Sequence, residues 1–365
     1  MTLPDPRLWP PADASEQPLL ALAQSSLAGN VSARAALRLE LDALLDANAD
    51  GDVSALLRAA PSAACFRHLR EMLAKLVNKP QRGETVIARL FALPLVIVAG
   101  AKQASNVPAA LPDIAAVSAL LEQHGVLGAG RNFGLGNALC SVETLDCLPP
   151  SLLRQWTAQL RSGAAPLELA GSALMVEPGR EQVHLRFVVG ATVGPAHVPA
   201  VTETGANVGA WGMPLTKLLA QQLAQSGLDI LPIARPPVAL YLAADAGREA
   251  QIELAFSLFL SNAVRQFRLS VGDPAVVLSA HRDRDGTSEL RISLSSALDE
   301  SLLEGFRWPL YPAQELSEIL QKIKDLLDEC RLTDVQVLAT VADDLNARGG
   351  RFLSVRDADT QIRSH

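Results

Sequence analysis

Residues Val86 to Ala101 form the most apolar run of the chain, and any fold must find a place for it. The run is shorter than the ~20 residues that a membrane-crossing helix requires, and it carries Arg89 and a central Pro94. Its β-branched residues, with Thr85, Val86 and Ile87 before the proline and Val96, Ile97 and Val98 after it, predict a strand buried in a protein core and interrupted at Pro94. A chain of 365 residues with 49% hydrophobic and 19% charged residues can bury such a strand and falls outside the disordered class. At roughly 150 residues per domain it has room for two or three domains.

The segments on either side predict different architectures. Residues 1–15 hold Pro4, Pro6, Pro10 and Pro11 in place of a basic and then apolar leader, so a disordered, Pro-rich N-terminus without a signal peptide is expected. Over residues 16–80 the leucines recur at three-to-four spacing: Leu19, Leu20, Ala23 and Leu27, then Leu37, Leu41, Leu44 and Leu45, then Phe66, Leu69, Leu73 and Leu76. That spacing predicts three or four short amphipathic helices, ended by Pro80-Gln-Arg-Gly83.

Residues 81–235 read as a mixed α/β domain. Helices are expected at Pro112–Gln123, Pro150–Arg161 and Pro214–Gln225, with a hairpin of Leu167–Val176 and Gln182–Val193 around Glu177-Pro-Gly-Arg180. A long connection without periodicity is expected over residues 194–212.

Residues 236–345 read as a strand near Val238–Ala243, a helix at Arg248–Arg268, a hairpin of Val276–Leu278 with Leu290–Leu294, a helix at Ala313–Cys330 and a strand at Val335–Thr340. The hairpin turn is placed at Asp283-Arg-Asp285-Gly286, residue types that favour positive φ. Ile252 to Leu260 also alternates at period two, but its helical spacing persists over many more residues than a usual strand has. The order β-α-β-β-α-β is that of a ferredoxin-like layer, and residues 346–365 form a polar tail. The fold class is α+β: an N-terminal helical region, then mixed α/β layers, with the last third ferredoxin-like.

Charge and cysteine usage exclude several function classes. Lys plus Arg number 32 against 39 Asp plus Glu, a net charge of −7, so nucleic acid is not an expected partner. The cysteines, at 65, 140, 147 and 330, contain no CxxC pair, which fits a reducing cytoplasm and neither a disulfide scaffold nor a closed zinc site. Cys65 and His68 share a helical face but supply two ligands where zinc needs four. His281-Arg-Asp283 is similar to the protein-kinase catalytic-loop triplet, yet Ser288 stands where that loop requires Asn. The carboxylate pairs Asp299-Glu300 and Asp343-Asp344 read as caps or solvated charge.

Two segments carry chemistry-bearing spacing. Gly128, Gly130, Gly134 and Gly136 spell GxxxGxG, similar to the phosphate-cradling turn of short-chain dehydrogenases, and imply an enzyme or sensor of a nucleotide or phosphorylated small molecule. That family's Tyr-x-x-x-Lys pair is absent, since Asp245 and Glu315 follow Tyr241 and Tyr311 at that distance. Asp46, Asn48, Asp50 and Asp52, with Gly51 and Val53, resemble the start of an EF-hand calcium loop and imply a weak calcium-binding regulator. Leu57 occupies the position of the bidentate carboxylate.

No reactive constellation survives this comparison, and no cofactor is expected. The reading is a non-enzymatic subunit or adaptor of a bacterial multiprotein assembly, cytoplasmic and without a membrane span, acting through protein partners or self-association. Its expected docking surface is the leucine stripe of the N-terminal helices, at Leu41 and Leu45.

Overall fold

The computed structural model describes residues 3, 5–7, 18–79, 86–128, 131–163, 167–179, 181–270, 272–282, 288–295, 302–342 and 351–353. The chain is α+β. Helices α1 (Pro18–Leu27), α2 (Val31–Asp46), α3 (Asp50–Arg58) and α4 (Ala63–Val77) precede strands β1 (Val86–Ala101) and β2 (Ser105–Val107). Next come α5 (Ile114–Gln123), β3 (Asn132–Cys140), α6 (Val142–Asp146), α7 (Pro150–Arg161), β4 (Leu174–Val176), β5 (Glu181–Pro195), α8 (Glu203–Ala206), α9 (Gly212–Leu223), β6 (Leu228–Ala234) and β7 (Val238–Ala239). The last elements are α10 (Leu240–Ser270), β8 (Ala275–Arg282), β9 (Ser288–Ser295), β10 (Leu302–Pro309), α11 (Leu316–Glu329), β11 (Val335–Ala342) and β12 (Arg351–Leu353). Among the described residues no helix is long and apolar enough to cross a membrane.

Two compact units result. The central unit comprises Gln17–Leu57 and His68–Arg248; the C-terminal unit comprises Arg58–Arg67 and the chain from Glu249, together with the described residues among the first sixteen.

In the central unit, β1 lies between β5 and β6 in an antiparallel sheet of order β3-β5-β1-β6, with the short β7 also on β1. The expected interruption at Pro94 does not occur: β1 pairs with β5 without a break from Val86 opposite Pro195 to Gly100 opposite Glu181. The reason lies in the edge that the proline turns outward. Its carbonyl accepts the Arg235 N–H at 2.9 Å, so its missing N–H faces the gap between β6, which ends at Ala234, and β7, which starts at Val238. The neighbouring strand is already broken there.

One face of this sheet carries Phe91, Leu93, Leu95, Ile97 and Ala99 against Val117 and Leu121 of α5, Trp211, and Leu215, Leu219 and Leu223 of α9. On the other face, α7 crosses β3 closely, because Gly134 leaves room for Trp156 and Leu160. The expected Leu167–Val176 hairpin is not formed with β5, since β4 pairs with β2 instead. The connection at 194–212 is also more regular than its composition suggests. Thr202 caps α8, a 3-10 turn follows at Val208–Ala210, and Trp211 is fully buried.

The C-terminal unit corrects the ferredoxin-like expectation. Its sheet runs β11-β8-β9-β10-β12, a β8-β9-β10 meander with β11 parallel to β8. The strand expected near Val238–Ala243 is two residues long and belongs to the central sheet; helix then begins at Leu240 and continues for 31 residues. The order is thus α-β-β-β-α-β. Ile252, Phe256, Phe259, Ala263 and Phe267 of α10 join Ile319, Ile323 and Leu327 of α11 over Leu290, Ile292, Leu294, Phe306 and Trp308.

Of residues 1–15, expected to be disordered, the structure describes 3 and 5–7. Leu3 is buried in this core, Arg7 donates to the Tyr311 carbonyl at 3.0 Å and the Gln314 carbonyl at 2.6 Å, and Arg282 donates to the Pro6 carbonyl at 2.6 Å. The polar tail at 346–365 and the turn at 283–286 fall outside the described residues, apart from Arg351–Leu353, which forms β12 beside β10.

Candidate functional site

The sequence-derived candidates resolve into packing. Leu41 and Leu45 are 0% and 2% exposed and form one buried row of α2 with Ala33 and Leu37, so the expected docking stripe lies inside the central unit. The loop at Asp46 is a helix–turn–helix junction. Asn48 takes the positive φ of the turn, and Asp50 already starts α3. Its oxygens are engaged: Asp46 pairs with Arg154 at 3.0 Å, Asn48 accepts from Gln155 at 2.8 Å, and Asp50 accepts from the Ser151 N–H at 3.0 Å and from the Ser151 hydroxyl. Ser151 lies in the first turn of α7, where an orphan N–H needs an acceptor that Pro149 cannot supply, so Asp50 caps that helix from outside. Asp52 sits in the first turn of α3. Among the described residues no group of three or more His, Cys, Asp or Glu is placed to hold a metal ion.

The glycine-rich segment forms no phosphate-cradling turn in its described part. Gly134 and Gly136 lie inside β3 and Gly128 just before it; Gly130 falls outside the described residues. Each described glycine marks a close approach. A Cβ would meet the Pro199 carbonyl oxygen at 2.2 Å from Gly128, Leu160 at 2.7 Å from Gly134 and Leu169 at 2.8 Å from Gly136. Arg131, between them, donates to the Val198 carbonyl at 3.1 Å and the Pro195 carbonyl at 2.8 Å. Gly134→Val is therefore expected to lower stability by about 2–3 kcal/mol through overpacking against α7, by the same amount with or without millimolar nucleotide, as read by urea denaturation.

Cys65 is buried and its thiol pushed up by burial, while His68 Nε2 lies 2.9 Å from the Ser26 hydroxyl.

A polar row missed in the sequence lies on the C-terminal sheet, on the face opposite its core. Ser279 and His281 of β8 alternate with the core residues Leu278 and Ala280, and Arg291 stands opposite Ser279 on one side and Arg307 on the other. The Ser279 hydroxyl is 2.8 Å from His281 Nε2, and Glu289 is held by Arg291 Nε at 2.7 Å. Among the described residues His281 Nδ1 has no hydrogen-bond partner, so the Ser279 hydroxyl is the ring's one polar contact there and the second contact that orients a general base is not among them. The signal was period-two polarity, Ser279-x-His281 and Glu289-x-Arg291-x-Ser293, which reads as a solvated face until burial is known.

Burial, with Arg291 and Arg307 nearby, lowers His281 to about 4; burial, with Arg186, does the same for His184 in the central unit. An unfolded imidazole takes up its proton near 6.5, so each group destabilises the native state progressively as pH falls from about 6.5 to about 4, and neither contributes above pH 7. Stability should fall by about 1.4 kcal/mol per pH unit per histidine across that window. Urea midpoints of wild type and of His281→Gln between pH 7 and 4 measure the slope, which the variant should make shallower.

The remaining candidate is the open part of the central sheet, at its β6 edge. Val96 and Val98 of β1 stand opposite Ile233 and Leu231, and Leu185 and Val183 of β5 continue the row. The four valine and leucine residues of β1 and β5 are half-buried; Leu231 and Ile233 are 48% and 38% exposed, and Val238 beside them is also exposed. Ile230, Pro232 and Ala234 turn to the opposite, core-bearing face. The face is flanked by charge, for Asp229 and Arg235 at the two ends of the β6 row are exposed. Sequence reasoning missed β6 because Ile230 to Ala234 is apolar on both faces and interrupted by Pro232, which hides the alternation. Comparison with protein-family models, with curated proteins and with solved structures finds no match to this chain.

Proposed function

We propose that the protein works by association, as a subunit or adaptor of a larger assembly, and that its docking surface is the β6 end of the central sheet. The observation that carries this reading is the contiguous apolar face of Val96, Val98, Val183, Leu231, Ile233 and Val238, bounded where Leu185 packs against Gly247 of α10. Apolar side chains scattered singly over a surface need no explanation, but a continuous sheet face rimmed by polar residues is the usual mark of a partner site. Pro232 lies on the free edge of β6, where it has no N–H to offer a further strand, so the surface is suited to stacking by its face.

A photo-crosslinking residue placed at Ile233 tests the reading in the native host lysate. A discrete adduct is expected at 233, and none from the same residue at the exposed Glu122 on α5. Absence of any adduct at 233, or equal labelling at both positions, overturns it.

A further inference from the structure

We infer that the β6 face is self-complementary and that its occupant is a second copy of this chain, related by a two-fold axis. The inference rests on the association reading and specifies its partner. The row on this face of β6 reads Asp229, Leu231, Ile233, Arg235, all four exposed, with Arg235 held in register by its N–H on the Pro94 carbonyl. One acidic and one basic residue thus bracket two aliphatic ones, over about 20 Å at ~3.3 Å per residue. A two-fold axis lying between the two faces, perpendicular to the strands and level with Pro232, lays the second β6 antiparallel over the first. Asp229 then faces Arg235 of the second copy, Leu231 faces Ile233 of the second copy, and the axis repeats both contacts. An isologous interface requires this reciprocity. A parallel stacking would set Asp229 on Asp229 and Arg235 on Arg235.

Edge-to-edge pairing fits less well. The Arg235 N–H points to β1, so by alternation the backbone of Ile230, Pro232 and Ala234 faces the free edge. Pairing there, about a two-fold axis normal to the sheet and level with Pro232, would place two prolines without N–H groups at its centre. Stacking by faces leaves those groups where they are. A single short strand row with its neighbours on β1 and β5 is a small contact, so the dimer is expected in the weak class, forming within roughly the 1 to 300 µM range.

Sedimentation equilibrium of the full chain between 1 and 300 µM tests this. Wild type should pass from one to two chain masses. Asp229→Arg and Arg235→Asp, each replacing an attraction by a repulsion at both ends, should each weaken the dimer by at least five-fold. A mixture of the two single variants should recover wild-type affinity or better, because every facing pair is then Arg against Asp. Wild type remaining at one chain mass throughout, or single variants that match wild type, or a mixture no stronger than its components, overturns the two-fold arrangement. If wild type stays at one chain mass while crosslinking at 233 yields an adduct with a different chain, the self-association fails and the association reading stands.

Discussion

Replacing Leu41 and Leu45 together by Glu should leave a chain that does not fold cooperatively. Both side chains lie in the buried row of α2, at 0% and 2% exposure, so each substitution removes a packed leucine and sets a carboxylate in its place. The lost packing alone amounts to about 3 kcal/mol per site, and the desolvated carboxylate adds to it. Two such sites approach the whole stability of roughly 5–15 kcal/mol of an ordinary domain. Loss of the far-UV helical signal and of a sigmoidal thermal transition is the expected result. A folded double variant with wild-type melting would show that this row is accessible and would return it to the list of docking surfaces.

The second large effect lies in the C-terminal unit, where the sequence supports two readings of residues 252–260. As a strand, Ile252, Leu254 and Phe256 would share one buried face; as a helix, Phe256 is central and Leu254 turns away. In α10, Phe256 is fully buried with its ring 5.1 Å from that of Phe306 and 5.6 Å from that of Trp308, while Leu254 is 45% exposed. Phe256→Ala should therefore cost about 3–5 kcal/mol, and Leu254→Lys should stay within about 0.5 kcal/mol of wild type. Urea denaturation of both variants reads the contrast, and near-UV circular dichroism should lose aromatic signal only in the first. Comparable losses from both would contradict the helix.

What the sequence made legible follows from whether one face of an element is polar. Helix α7 runs over Pro150–Arg161 as its spacing predicts, because Leu153, Trp156 and Leu160 are separated by polar residues. The β8-β9 pair places Val276 opposite Leu294 and Leu278 opposite Ile292 for the same reason. Where both faces are apolar the pattern carries no phase: β6 was invisible, and the first turns of α10 read as a strand because Leu240, Leu242 and Ala243 are apolar all round. Strand β10 was missed because Leu302–Pro309 holds no β-branched residue and Glu304, Gly305 and Arg307 break up its apolar pattern, although Phe306 and Trp308 anchor the core.

The candidate sites are ambiguous in sequence for a related reason. Glycine spacing that would suit a phosphate equally suits a helix crossing a strand, and Asp-Asn-Asp spacing that would suit calcium equally suits a turn and the cap of a neighbouring helix. Only burial and partners separate these uses. The docking face illustrates the converse, since its residues are ordinary in type and become notable only when β1, β5 and β6 align them.

The most direct measurement of self-association through this face is the solution mass of Leu231→Glu with Ile233→Glu beside that of wild type, by sedimentation at 300 µM. Both positions are exposed, so the double variant should keep the wild-type circular dichroism spectrum and melt within about 2 °C of it, as surface changes usually do. It should also run at one chain mass where wild type runs toward two. A double variant that is folded and associates as strongly as wild type would contradict the claim that this face is where the protein docks.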